Sequence, residues 1–241
     1  MDPNLERTLH WVYVACMAAG VLYFWFLSRD PRGVPRYEYL TALMIALVSG
    51  TVYMAVALGY GKTVVGGTEV YYARYLDWVV TTPLLLLALA WTAMYRSSHK
   101  DKTLIAALMG TDVFMILTGL VADLTTGPAR FVYYTVSVVA FGVIQAMIWG
   151  PLRRIAAAHG ADLSRVYGRV AGLLTVLWVL YPTFWMLGPS GIGAISQAAS
   201  TMGFIFTPIV SKVVWSIVDL HSLRALGERE RRSEEAAWRG A

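Results

Sequence analysis

Seven stretches of mostly apolar residues, separated by short polar connections, run through the chain at 8–28, 37–60, 71–95, 103–122, 130–150, 167–188 and 196–222. About 20 apolar residues suffice to cross the hydrocarbon core of a bilayer as an α-helix, the form in which each backbone N–H and C=O finds a partner inside its own segment. The pattern predicts an all-α membrane protein: a bundle of seven transmembrane helices over residues 1–225, then a charged tail over 226–241 that reads as solvated. The connections leave no room for a second domain, and no internal repeat or low-complexity tract interrupts them. Residues Met1 to His10 are not basic and no small-residue cleavage site follows, so the first span reads as a retained helix rather than a signal peptide.

Composition agrees with lipid as the solvent. The 241 residues are 57% hydrophobic and 15% charged, with a mean hydropathy of +0.55. A net charge of +5 would suit nucleic acid, but the basic residues mark alternate connections instead. Arg29, Arg32 and Arg36 follow span one, Arg96, Lys100 and Lys102 follow span three, and Arg153, Arg154, Arg165 and Arg169 follow span five. Arg224, Arg229, Arg231, Arg232 and Arg239 follow span seven, whereas the opposite connections hold only Arg7, Lys62 and Arg130. The positive-inside rule then puts the amino terminus outside and the carboxy terminus in the cytoplasm of a multi-pass cell-membrane protein, with no nucleic-acid partner. Cys16 is the one cysteine, so an internal disulfide is excluded.

The ionisable residues left well inside the spans are Arg74 and Asp77 on span three, Asp112 on span four, and Lys212 and Asp219 on span seven. Such a charge costs ~2.5 to 3.5 kcal/mol even on the lenient insertion scale, so it faces the interior, pairs and marks function. Lys212 lies too deep for its stem to reach water. A buried amine of this kind condenses with an aldehyde, and the protonated Schiff base so formed needs a carboxylate, for which Asp77 is best placed by depth. Arg74, three residues earlier on the same face, is positioned to balance that carboxylate. Trp78 adjoins Asp77, and Trp178, Tyr181 and Trp185 form one stripe on span six, flat walls for a long apolar ligand.

The run Arg74-Tyr75-Leu76-Asp77-Trp78-Val79-Val80-Thr81-Thr82-Pro83-Leu84-Leu85-Leu86 resembles the third helix of microbial rhodopsins, Leu177 to Pro182 with Trp185 resembles their sixth, and Ser211-Lys212 their seventh. The resemblance covers essentially the whole chain. It implies retinal as a covalent protonated Schiff base on Lys212, Asp77 as primary counterion, Thr81 and Thr82 as polar neighbours with Leu85 beyond them, and Trp78, Trp178, Tyr181, Pro182 and Trp185 around the polyene. Tyr53 would close the site near the counterion, and Asp112, Met115, Gly119, Tyr134 and Ser137 would line the ring end, with Asp112 a neutral, hydrogen-bonded acid. The resemblance also implies a homo-oligomer, a trimer in related proteins.

Departures from the family's outward proton pumps carry as much information. Pro208 stands where they have a second acidic counterion, Ala88 where they have a carboxylic donor, and Ser190 and Ser200 where they have an outer acidic pair. Pro208, together with Ser211-Lys212 and Val218-Asp219-Leu220-His221, resembles the xenorhodopsin branch, as do the segments Asp30 to Pro35 and Leu187 to Gly191. That branch includes a cyanobacterial sensory rhodopsin and light-driven inward proton pumps. Proline at 208 also removes a backbone donor and leaves the Phe204 carbonyl without its usual partner, which favours a kink or an ordered water there.

The expected function is therefore a light-driven ion transporter, not an enzyme, that moves the proton of Lys212 inward through internal water to Asp219. Asp219 lies two turns toward the cytoplasm, and Glu38 stands near the exit. Residue patterns alone also allow Asp219 to be an exposed or snorkelling acid near a helix end, and Glu38 to be a solvated helix-end charge. The alternative function is a photosensor signalling to a cytoplasmic transducer.

Overall fold

The computed structural model describes residues 2–240. Helix α1 spans Pro3–Leu27, with Asp2 as its cap accepting a 3.0 Å hydrogen bond from the Asn4 amide. Helix α2 covers Arg36–Ala57, entered through Pro35. Two three-residue strands follow, β1 (Thr63–Val65) and β2 (Thr68–Val70), paired antiparallel with Val64 opposite Glu69. Gly66 and Gly67 turn between them at φ of 56° and 81°, the left-handed values that a two-residue hairpin turn demands. Helices α3 (Tyr72–Ala93) and α4 (Lys102–Leu124) come next, the latter capped by Asp101.

The last three helices are longer. They are α5 (Ala129–Ala158), α6 (Ala161–Leu187) and α7 (Gln197–Arg239). Two of them contain a widened π turn, Ile148–Leu152 in α5 and Val210–Val214 in α7. The first holds Pro151, and the second begins two residues after Pro208 and carries Lys212. A proline cannot donate to the carbonyl four residues back, and a widened turn is one way for the ladder to resume beyond it.

All seven predicted spans are helices long and apolar enough to cross a membrane. Their ends differ from the hydropathy windows where polar residues continue the helix. Helix α6 begins six residues before its window, at Ala161, and α7 runs past residue 226 through the charged segment expected as a tail. There Glu228 pairs with Arg32 at 2.9 Å and Glu230 with Arg96 at 2.6 Å, so two of its acids fold back on the bundle. Hydropathy senses the lipid, whereas helix length follows hydrogen bonding.

The radial pattern inverts that of a water-soluble bundle. Leu22, Phe26, Leu40 and Val139 are exposed, whereas Ser49, Asp77, Thr81, Thr92, Asp112, Ser211, Lys212 and Asp219 are buried. Helix α3 is the most enclosed, with 61% of its apolar window buried against 17% for α4, so the ionisable residues of α3 sit at the centre of the molecule. The alternation of seven helices gives two faces. The N face carries the chain start and the hairpin, and the C face carries the α1–α2, α3–α4 and α5–α6 connections with the end of α7.

Candidate functional site

Where α3 meets the widened turn of α7, the Lys212 ammonium donates to Asp77 Oδ2 and, at 2.9 Å, to Ser49 Oγ of α2. Lys212 is 1% exposed and Asp77 0%, so each charge depends on the other for the stabilisation that water would supply. Thr81, one turn along α3, directs its hydroxyl at the Asp77 backbone carbonyl (2.8 Å) and at Asp77 Oδ1 (3.2 Å). The expected lysine, counterion and threonine thus come together.

Arg74 departs from expectation. It forms no ion pair with Asp77; its guanidinium lies 4.0 Å from the Tyr71 ring centroid and 5.1 Å from that of Phe204, and its Nε and Nη2 have no partner among the described residues. Three residues on a helix share a face, but the aromatic rings of the neighbouring segments draw the long side chain toward the N face. Tyr53 also differs in detail. Its hydroxyl donates to the Phe204 carbonyl at 3.2 Å, the very group that Pro208 leaves without a backbone donor, and its ring stacks on Tyr13 with centroids 3.8 Å apart.

Beside this centre lies an apolar cavity between α3, α4, α5, α6 and α7. Its walls include ten expected residues: Trp78, Thr82, Met115, Gly119, Tyr134, Ser137, Trp178, Tyr181, Pro182 and Trp185. Leu85 does not reach it and is packed in the core instead. The Tyr134 and Trp185 rings stack at 4.5 Å, and Trp78 meets Tyr181 edge-on at 5.2 Å. At Gly119 an added Cβ would come within 3.4 Å of Ser137 Oγ, so glycine keeps this end open. Asp112 stands behind Thr82, whose hydroxyl donates to Asp112 Oδ2 at 2.6 Å.

The cavity and the lysine are joined by two neighbours. Trp78 follows Asp77 in sequence, and the Tyr181 hydroxyl lies 3.0 Å from Ser211 Oγ, the residue before Lys212. An apolar slot with flat aromatic walls, an indole N–H at Trp78 that is buried without a partner among the described residues, and a primary amine with its counterion at one end fit a polyene aldehyde.

Several contributors were absent from the sequence reading. Asp123, at the end of α4, accepts from Tyr75 and from Trp185 Nε1, each at 3.0 Å, and so fixes one wall of the cavity. It falls one residue past the hydropathy window, where a carboxylate looks like a loop residue. Ser49 and Thr92 are small polar residues in apolar spans, and nothing in their spacing distinguishes them from ordinary packing.

Toward the C face, Asp219 is 2% exposed and accepts from Thr92 Oγ1 at 2.8 Å. Glu38 is likewise 2% exposed, and its Oε2 has no partner among the described residues. The exposed-acid alternatives for both residues are thereby excluded. His221 lies apart, bonded to Tyr23 at 2.5 Å. Lys100, in the α3–α4 connection, is held below the ordinary lysine range by burial, with Glu38 opposing the shift.

Residues 4–226 match the family described as bacteriorhodopsin-like protein. The chain is a microbial rhodopsin of that family. This rhodopsin is 33% identical over 230 residues to archaerhodopsin-2 of Halobacterium sp. (strain aus-2), covering 91% of the chain and 86% of the relative. It is 34% identical over 223 residues to the bacteriorhodopsin of Haloterrigena sp. (strain arg-4), covering 90% and 87%. Among solved structures it is similar to the thermophilic rhodopsin of Rubrobacter xylanophilus, with a TM-score of 0.85 at 35% identity over 92% of this chain and 98% of that one. The light-driven proton pump rhodopsin of Coccomyxa subellipsoidea gives a TM-score of 0.82 at 30% identity, covering 90% and 96%. Members of the family bind retinal through a Schiff base to lysine, and the rhodopsin is accordingly a retinal-binding, multi-pass membrane protein. Of its four lysines, Lys212 is the one enclosed beside the cavity.

Proposed function

We propose that this rhodopsin is a light-driven inward proton pump of the xenorhodopsin type, with retinal on Lys212, Asp77 as counterion and Asp219 as proton acceptor. The observation that carries the reading is the burial of Asp219 on the helix that bears Lys212, roughly 10 Å further toward the C face, with the Thr92 hydroxyl directed at its carboxyl. The charge distribution among the connections supports taking the C face as cytoplasmic.

Retinal held on Lys212 would supply light absorption and a light-driven change of shape beside Nζ. Before that event Asp77 and Ser49 hold the proton. Thr81 donates to Asp77 Oδ1 and so fixes the carboxyl group beside Lys212. Asp219 takes the proton on the other side, and the Glu38 carboxyl oxygen that has no partner among the described residues offers the next acceptor toward the cytoplasm. Transport in the opposite sense would need a donor at position 88, where the structure has a buried alanine.

Illumination of a suspension of expressing cells tests the direction. The expected signal is alkalinisation of the medium that a protonophore abolishes; acidification would overturn the reading. A second reading, a photosensor acting on a cytoplasmic partner, draws on the exposed helical extension of α7, where Trp238 is 88% exposed. An intact photocycle with no pH change would favour it.

A further inference from the structure

We infer that His10 of α1 is the entry relay for the proton that refills Lys212 from outside, passing it through Tyr13 and Ser49 rather than along Arg74 and Asp77. The inference rests on the inward reading and assigns the uptake side of that transport.

His10 is 1% exposed although it lies near the N-face end of its helix. Its Nδ1 sits 2.8 Å from the Glu6 carbonyl, which can only accept, so Nδ1 carries the hydrogen and Nε2 presents a bare lone pair. That lone pair has no partner among the described residues. A buried, unsatisfied acceptor costs about 1–3 kcal/mol, and such a group calls for a specific reason. The ring borders an open cavity lined by Glu6, Arg7, Gly59 and Lys62, which leads to the N face.

On its inner side the ring meets Tyr53, with centroids 6.0 Å apart, and Tyr53 in turn stacks on Tyr13. Tyr13 lies three residues after His10, one turn deeper on the same face of α1. Its hydroxyl is 2.6 Å from Ser49 Oγ, and Ser49 Oγ is 2.9 Å from Lys212 Nζ. The hydroxyl pair therefore ends on the atom to be refilled. Arg74 offers no comparable route, since its guanidinium stays positively charged and lies against Tyr71 and Phe204.

The transfer balances without a co-reactant. His10 Nε2 binds a proton from the outer cavity. It returns one inward across intervening water to the Tyr13 hydroxyl, Tyr13 passes its own to Ser49, and Ser49 gives its own to Lys212 Nζ. Each O–H that breaks is replaced by one that forms, so Tyr13 and Ser49 end neutral and the positive charge moves from the imidazole to Lys212. The charged and titratable groups around the imidazole are Glu6, Arg7, Lys62 and Arg74, with Tyr53 and Tyr71 against its faces and Glu69 behind Tyr71.

The test uses oriented vesicles with retinal bound and the two sides buffered separately, following by flash absorption the recovery of protonated Lys212. Expected are recovery set by the external pH alone, slowing of about tenfold or more in His10→Gln with the dark absorbance maximum unchanged, and slowing in Tyr13→Phe as well. Nitrogen NMR of histidine-labelled protein without retinal gives an independent readout, with His10 expected as the Nδ1–H tautomer. Unchanged recovery in both variants, still governed by external pH, would overturn the His10 route and leave inward transport intact. Recovery governed by the internal pH would overturn the route and the inward reading together, and an Nε2–H tautomer would overturn the relay by itself.

Discussion

Replacing Tyr53 with Phe should expose the debt left by Pro208. The Phe204 carbonyl lacks its helical donor because residue 208 has no N–H, and the Tyr53 hydroxyl at 3.2 Å is its replacement. Tyr53 is fully buried and its ring rests on Tyr13, so the phenylalanine ring keeps the packing and loses only the hydrogen bond. A buried carbonyl left unpaired costs about 1–3 kcal/mol, and the length of this bond argues for the lower half of that range. In a Pro208→Ala background the backbone N–H returns, and the same substitution should then cost about 1 kcal/mol less. A double-mutant cycle on the unfolding midpoint, followed by loss of the visible chromophore in denaturing detergent, measures the difference. Equal costs in the two backgrounds would refute the claim that hydroxyl and proline are coupled through this carbonyl.

Lys212→Ala should yield folded protein that gains no visible absorbance when retinal is added, since among the described residues no other lysine is buried beside the cavity; a covalent pigment in that variant would remove Lys212 from its role. Asp219→Asn should keep the pigment and lose most of the inward signal, checked as light-induced alkalinisation per pigment, and undiminished transport would shift the acceptor to Glu38 or water. At the N face, burial alone would raise the Glu69 carboxyl, but hydrogen bonds from Lys62 and Tyr71 outweigh it and hold the group below its ordinary value of 4.5. Its contribution is thus present above that value and lost as pH falls through the lower folded one. Acid should loosen the hairpin as pH falls below 4.5, and Glu69→Gln should flatten that acid limb in amide exchange of residues 63–70.

The seven helices were legible because lipid demands long apolar runs, and the lysine, counterion and aromatic walls were legible because charges and tryptophans are rare there. What hid from the sequence was whatever depends on a second helix. Arg74 and Asp77 share a face of α3, yet the rings of Tyr71 and Phe204 decide where the guanidinium goes. Asp219 and Glu38 look like interface acids until the neighbouring helices bury them. The hairpin was overlooked although its signal, Thr and Val on either side of Gly66-Gly67, was present. Its six strand residues made too short a pattern beside runs of twenty.

The widened turn at residues 210–214 changes how the helix should be counted. It holds more residues than a regular turn, so everything after it is rotated relative to everything before it. Pro208 and Asp219 lie on opposite sides of this offset. Spacings measured across it hold only for chains that share the bulge. Deleting one residue there, at Val214, would let the segment close as ordinary α-helix and swing Asp219 by about 100° about the axis. The acid would then leave the Thr92 hydroxyl while Phe204, on the near side, kept its place against Tyr53.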